Sequence, residues 1–83
     1  MVEVLEKIKY PLVAVSWYDH MTNDEWCKED TVHKAPPIMC TVGWLVYEDD
    51  IMLNLVQCVE HGGPDIASQF VIVKACIIQR REL

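Results

Sequence analysis

The sequence predicts a small all-β domain, a five-stranded and strongly bent antiparallel sheet or barrel. Apolar, β-branched runs of strand length recur along the chain, and loop-forming residues separate them. With 83 residues the chain has enough material for one hydrophobic core. Hydrophobic residues make up 52% of the chain, which excludes a disordered segment. We therefore expect a single domain over residues 1–83.

The first part of the chain predicts a short arm followed by a strand. Residues 1–9 suit either a helical turn or an irregular arm, because Pro11 stops a longer helix. Residues 12–18 predict the first strand, since their alternation and β-branching fit a pleated surface. That alternation places three large side chains on one face of the strand: Val13, Val15 and Trp17.

A long acidic loop is predicted over residues 19–37. It contains five acidic residues: Asp19, Asp24, Glu25, Glu29 and Asp30. Thr22 and Glu25 resemble a helix-capping box, so a single turn over residues 23–28 is expected. Such a turn would carry Trp26 back onto the sheet.

A β-hairpin is the strongest local prediction. Residues 38–48 and 51–59 predict the second and third strands, and the acidic turn between them is short. Gly43 lies inside the second strand, where glycine often marks a sharp bend. We expect the neighbouring Trp44 to lie in the core.

The last third of the chain predicts two short strands. Residues 60–69 predict a loop, and residues 70–73 and 76–81 predict the fourth and fifth strands. Lys74 and Ala75 between them fit a single turn that redirects the chain across the sheet. Closure into a barrel is the expected arrangement, and an open sheet packed on the N-terminal segment is the alternative.

Charge and hydropathy exclude some classes of function. Seven basic and 13 acidic residues give a net charge of −6, which argues against non-specific binding to nucleic acids. The longest apolar run, residues 38–47, is too short for a membrane helix. The chain opens without a signal-peptide pattern, so we expect a cytoplasmic protein.

The four cysteines are expected to be reduced and buried. They are Cys27, Cys40, Cys58 and Cys76, and the last three lie in apolar, strand-like runs. Disulfide pairing and metal ligation are the alternatives. The cysteines do not form the close pairs that structural zinc sites use, so no metal and no cofactor are expected.

Several short motifs resemble a group of small proteins encoded by phages and other mobile elements. The motifs are Trp17-x-Asp19 followed by Trp26, Val42-Gly43-Trp44-Leu45-Val46, Ile72-x-Lys74-x-x-Ile77 and Glu82-Leu83. The resemblance covers residues 12–83, and the last two strands look like those of SH3-like or Sm-like small barrels. It implies a phage or mobile-element origin and supplies no catalytic residue. Val73 stands where many relatives have proline, which leaves the form of the next turn open.

Aromatic and basic side chains are the candidates for ligand binding. Aromatic residues of small barrels either fill the core or stack on bases, and Tyr18 and Trp26 are expected to be exposed beside the loop. The C-terminal arginines either hold a phosphate or belong to a solvated strand face. The candidate ligand-binding set is Tyr18, Asp19, Trp26, Arg80 and Arg81. For Asp19 the alternative is a hydrogen bond to the backbone of its own loop.

Self-association is expected because the last strands hardly alternate between apolar and polar residues. One face of such a sheet fills the core, and a second copy of the chain would cover the other. The candidate contact set is Phe70, Ile72, Lys74, Ile78 and Arg80. A two-fold dimer is the first expectation and a ring the second.

These observations favour a non-enzymatic interaction protein that self-associates and binds another macromolecule, with a protein as a candidate partner. The alternative is a small-ligand module that binds nucleotide-like molecules through its aromatic residues and C-terminal arginines. An enzyme is disfavoured, because the sequence pairs no nucleophile with a base and contains no metal-ligand motif.

Overall fold

The computed structural model describes residues 4–22 and 24–83, which form one antiparallel sheet of five strands. The strands are β1 (Leu12–Tyr18), β2 (Ile38–Glu48), β3 (Met52–Val59), β4 (Ile66–Val73) and β5 (Ile77–Glu82). Their order across the sheet is β4-β3-β2-β1-β5. In the described residues the helical elements are three 3₁₀ turns: Leu5–Lys7, Glu29–Thr31 and Lys74–Cys76. The prediction of an all-β fold is confirmed.

The hairpin and the last strand follow the prediction closely, and the fourth strand departs from it. β2 has the predicted bounds, and in the turn after it Asp49 Oδ1 accepts the backbone N–H groups of Ile51 and Met52 at 2.8 and 2.9 Å. The fourth strand is longer than predicted, because its pairing with β3 continues back to Ile66. The predicted single turn between the last strands is the 3₁₀ turn Lys74–Cys76.

The long connection between β1 and β2 extends away from the sheet. Asn23 lies outside the described residues, and residues 24–28, where a helical turn was expected, are not helical. Trp26 is 102% exposed, so it does not pack on the sheet. The described residues of 20–36 are all exposed, and the radius of gyration is 17.0 Å. A compact chain of this length would have about 12 Å.

The hydrophobic core lies on one face of the sheet, the inner face. Its buried side chains are Val13, Val15, Leu53, Leu55 and Ile72. The rings of Trp17 on β1 and Phe70 on β4 approach to 5.3 Å, although β2 and β3 lie between these strands. In a flat sheet the two strands would be about 14 Å apart. The sheet is therefore strongly curled. Within the described residues β4 and β5 stay unpaired edges, so the expectation that the sheet closes into a barrel is wrong.

Gly43 lies where β3 comes very close to β2. A Cβ atom at this position would lie 2.9 Å from the carbonyl oxygen of Val56 and 3.1 Å from the Cβ of Leu55. Only glycine allows this approach without a shift of β3. The expectation that Trp44 lies in the core has to be corrected. Trp44 is half-buried and, as the cross-strand partner of Val56, lies on the outer face.

Candidate interaction surface

Among the residues that the structure describes, the first half of β2 has a strand partner on one side only. Residues 38–44 pair with β1, from Tyr18↔Ile38 to Leu12↔Trp44. The described pairing of β2 with β3 begins at Trp44↔Val56 and runs toward the hairpin turn. The side of residues 38–42 that faces away from β1 is therefore an open sheet edge, which we call the β2 edge.

Backbone groups of alternate residues point out from the β2 edge. The N–H of Leu45 donates to Pro11 O at 2.9 Å, so odd-numbered residues of this strand direct their backbone groups toward β1. The even-numbered Val42 directs its carbonyl to the other side, where the side-chain amide of Gln57 donates to it at 2.5 Å. By the same alternation, the N–H and C=O groups of Ile38 and Cys40 face the open side.

Side chains along the β2 edge are apolar and accessible. Ile38, Met39 and Val42 are 59%, 43% and 47% exposed, and Cys40 is exposed as well. Residues 35–47 contain no charged side chain. Edge strands are commonly protected by charges or by proline. Here the nearest such feature is Pro36-Pro37, which precedes the edge and sets its start at Ile38.

The outer face of the sheet also carries uncovered apolar side chains. They are Tyr18, Ile38, Val42, Tyr47, Val71 and Val73, each between 44% and 59% exposed. Cross-strand register places them on the face opposite the core. The fully buried Val56 lies among them, so this face has a small apolar centre of its own.

Glu48 anchors two basic side chains at the end of β2. Arg80 donates to both carboxylate oxygens of Glu48, at 2.9 and 3.3 Å, and Lys74 Nζ lies 2.7 Å from Oε2. These hydrogen bonds to Arg80 and Lys74 lower the pKa of Glu48 to about 2. Two of the three C-terminal basic residues therefore already have an anionic partner within the chain.

The predicted ligand-binding residues do not form one site. Tyr18 and Trp26 are exposed as expected, at 44% and 102%. Asp19 Oδ1 accepts the N–H of His20 at 2.8 Å, which matches the loop-capping alternative. Cross-strand register puts Arg80 beside Val15 on the inner face and Arg81 beside Ala14 on the outer face. The side chains of the two arginines therefore lie on opposite faces of β5, although both residues border the cleft beside β1, β2 and β5.

The predicted self-association set is also divided by the fold. Ile72 has to be removed from it, because its side chain is 2% exposed and lies in the core. Phe70 packs on Trp17, and Arg80 and Lys74 are held by Glu48. Ile78 stays available, since it is the extra residue of a bulge opposite β1 and is 44% exposed.

The prediction that the cysteines are buried is wrong for three of them. Cys27, Cys40 and Cys58 are exposed, Cys76 is half-buried, and all four are free thiols. Cys40 and Cys58 lie on the outer face of the sheet, where the apolar character of their strands had suggested burial. The β2 edge was not predicted, although the uncharged run over residues 35–47 was a signal for it.

Comparisons with known proteins add no relative to this description. No protein-family model, curated protein or solved structure gives a significant match to the chain. In the part of the chain that the structure describes, no three metal-ligating side chains are grouped together. No helix among the described residues is long and apolar enough to cross a membrane.

Proposed function

We propose that this chain is a non-enzymatic interaction module of phage or mobile-element origin that self-associates and binds another macromolecule, with an open, curled sheet related to the SH3-like or Sm-like small barrels. The observation that carries the proposal is the apolar surface left uncovered on the sheet, above all the β2 edge with its exposed Ile38, Met39 and Val42. Exposed, unprotected edges and contiguous apolar surface are typical of protein-binding sites.

The chain order of the elements supports the small-barrel part of the proposal. A long loop joins the first two strands, a tight hairpin follows, and the 3₁₀ turn Lys74–Cys76 links the two edge strands. The Trp17–Phe70 contact brings β1 and β4 together in the manner of a sheet rolling toward closure. The exposed apolar side chains of the outer face are accessible to a partner.

A basic protein is the partner that the acidic loop fits. Trp26 is fully exposed, and four acidic residues of the loop lie within four positions of it in the sequence. Exposed tryptophan side chains often dominate binding energy at interfaces. The acidic residues and the net charge of −6 would accelerate encounter with a positively charged surface.

Light scattering after size exclusion tests the self-association part. At micromolar concentration we expect a species of at least twice the 9.6 kDa chain mass. A species that stays at 9.6 kDa on concentration would contradict it.

The partner part is tested by capture with the wild-type chain and with Trp26→Ala as baits. A basic protein should bind the wild-type chain, and its binding should be lost with Trp26→Ala and at high salt. If both baits captured the same proteins, the role of the loop would be refuted.

A nucleotide-like ligand is the second candidate, and one observation favours it. A cleft of about 190 Å³ lies beside β1, β2 and β5, and its lining includes Cys40, Gln79 and Arg81. Tyr18 lies on the same face of the sheet and could stack on a base. Thermal shift against a panel of nucleotides tests this candidate, because a ligand that binds the folded chain raises its melting temperature. An unchanged melting temperature in the presence of millimolar nucleotides would reject it.

A further inference from the structure

We infer that the β2 edges of two copies of this chain pair antiparallel about a two-fold axis that passes beside Cys40. The inference rests on the proposed self-association and specifies which surface forms the contact and in which register. It replaces the contact set expected from the sequence, of which Ile72 is buried and Lys74 and Arg80 are bound to Glu48.

The backbone supplies the hydrogen bonds for such a pairing. Ile38 and Cys40 direct both their N–H and their C=O groups outward, and Val42 directs its N–H the same way. A second copy running in the opposite direction presents the same groups in reversed order. The carbonyl of Val42 already accepts from Gln57, but a carbonyl oxygen has two lone pairs and can accept a second bond.

The length of the free edge fixes the register. Pro36 lacks an N–H and limits pairing before Ile38, and the close approach of β3 at Gly43 limits it after Val42. The midpoint of this five-residue stretch is Cys40. A two-fold axis at the midpoint pairs Cys40 with Cys40 of the second copy and Ile38 with Val42, so every edge residue is used.

Charge and polarity also select this surface for a contact between identical chains. Two copies with a net charge of −6 repel each other, so a close contact is favoured where neither carries charge. Residues 35–47 provide that uncharged stretch. Pairing there also covers apolar side chains that are now exposed on both faces, Met39 on the inner face and Ile38 and Val42 on the outer face.

Disulfide trapping tests the register. In the proposed pair the two Cys40 residues are hydrogen-bonded partners with Cα atoms about 5.5 Å apart. That separation lies within the range of disulfides. A variant that keeps only Cys40, with the other cysteines changed to serine, should form a covalent dimer on mild oxidation with copper phenanthroline. The matched variant keeps only Cys58, which is also exposed and lies on the same face.

We expect the variant with Cys40 alone to cross-link at least about tenfold faster than the variant with Cys58 alone. Equal rates would show collision between free chains and would overturn the inference. Light scattering gives a second readout that needs no oxidation. Cys40→Lys places like charges opposite each other and should weaken dimerisation at least about tenfold, whereas Cys58→Lys should not.

The outcomes separate this inference from the proposed function. If the wild-type chain is a dimer but Cys40→Lys dimerises equally well, self-association stands and the β2 edge is not its site. If the wild-type chain is monomeric at all concentrations, both fail. Circular dichroism of the two lysine variants should match the wild type, because both positions are solvent-exposed.

Discussion

The two halves of β2 have similar apolar sequences and different environments. In the second half, Leu45 packs on the core and Glu48 binds Arg80 and Lys74. In the first half, Ile38, Met39 and Val42 are about half exposed. The difference arises because the first half pairs with β1 alone, whereas pairing with β3 begins at Trp44, next to Gly43. The hydrophobic pattern therefore predicts that β2 is a strand. The positions of the neighbouring strands decide which residues of β2 stabilise the fold and which stay exposed for binding.

The largest expected effect is a difference in stability loss between two variants. One lies in the core beside the second half of β2, and the other lies in the first half. Leu55 pairs with Leu45 and is 0% exposed. Leu55→Ala should lower the free energy of unfolding by about 2–5 kcal/mol, since it leaves a cavity. Val42→Ala, at a position 47% exposed, should cost less than about 1 kcal/mol. Urea unfolding of both variants measures the difference, and equal losses would show that the first half is as buried as the second.

An added methyl group at Gly43 tests the point where the strand changes partner. Gly43→Ala should destabilise by about 1–3 kcal/mol, because the new Cβ would press on the backbone of Val56. Gly62→Ala is the matched control. A Cβ at Gly62 meets nothing within 4 Å, and the cost there comes only from its φ of +77°. If Gly43→Ala were the milder of the two in thermal unfolding, the close approach of β3 would be refuted.

Acid unfolding probes the ion pairs at the end of the second half. The pKa of Glu48 is lower in the folded chain, about 2, than its ordinary value of 4.5. The ionised carboxylate therefore stabilises the fold above pH 4.5, and this contribution is lost as the pH falls toward 2. In Glu48→Gln the melting temperature should depend less on pH over this range. Asp50→Asn, an exposed change in the adjacent turn, should keep the wild-type slope, and a wild-type slope in both variants would contradict the role of Glu48.

The smallest expected effect on stability is at the loop that precedes the first half. Trp26→Ala should change the free energy of unfolding by no more than about 0.5 kcal/mol, because the side chain is fully exposed. Trp17→Ala is the control, since its ring packs on Phe70 and its indole N–H donates to Thr41 Oγ1 at 3.0 Å. A large loss of stability in Trp26→Ala would show that the loop packs on the sheet.

Alternation and turn residues predicted most of the strands. Local sequence could not predict which side chains of those strands are buried or which distant residues they contact. The bounds of β2 and the turn at Lys74–Cys76 follow from residues close together in the chain. Burial of Cys40 and Cys58 was mispredicted, because it depends on whether a second layer covers the outer face. The pairing of Glu48 with Arg80 joins residues 32 apart in the sequence. Such contacts follow from the strand order, which local pattern alone does not give.

The pairing of β1 with β5 should form later in folding than the β2–β3 hairpin. Ser16 and Gln79, whose hydrogen bond spans 63 residues, can meet only after a very long loop has closed. The β2–β3 hairpin needs no such closure and can form within microseconds. Because closure of a long loop costs entropy before any contact compensates it, we expect β5 to join last and to limit the folding rate. Until then, β1 exposes a second unpaired edge, so the nascent chain is most prone to aggregation before its final strand has docked.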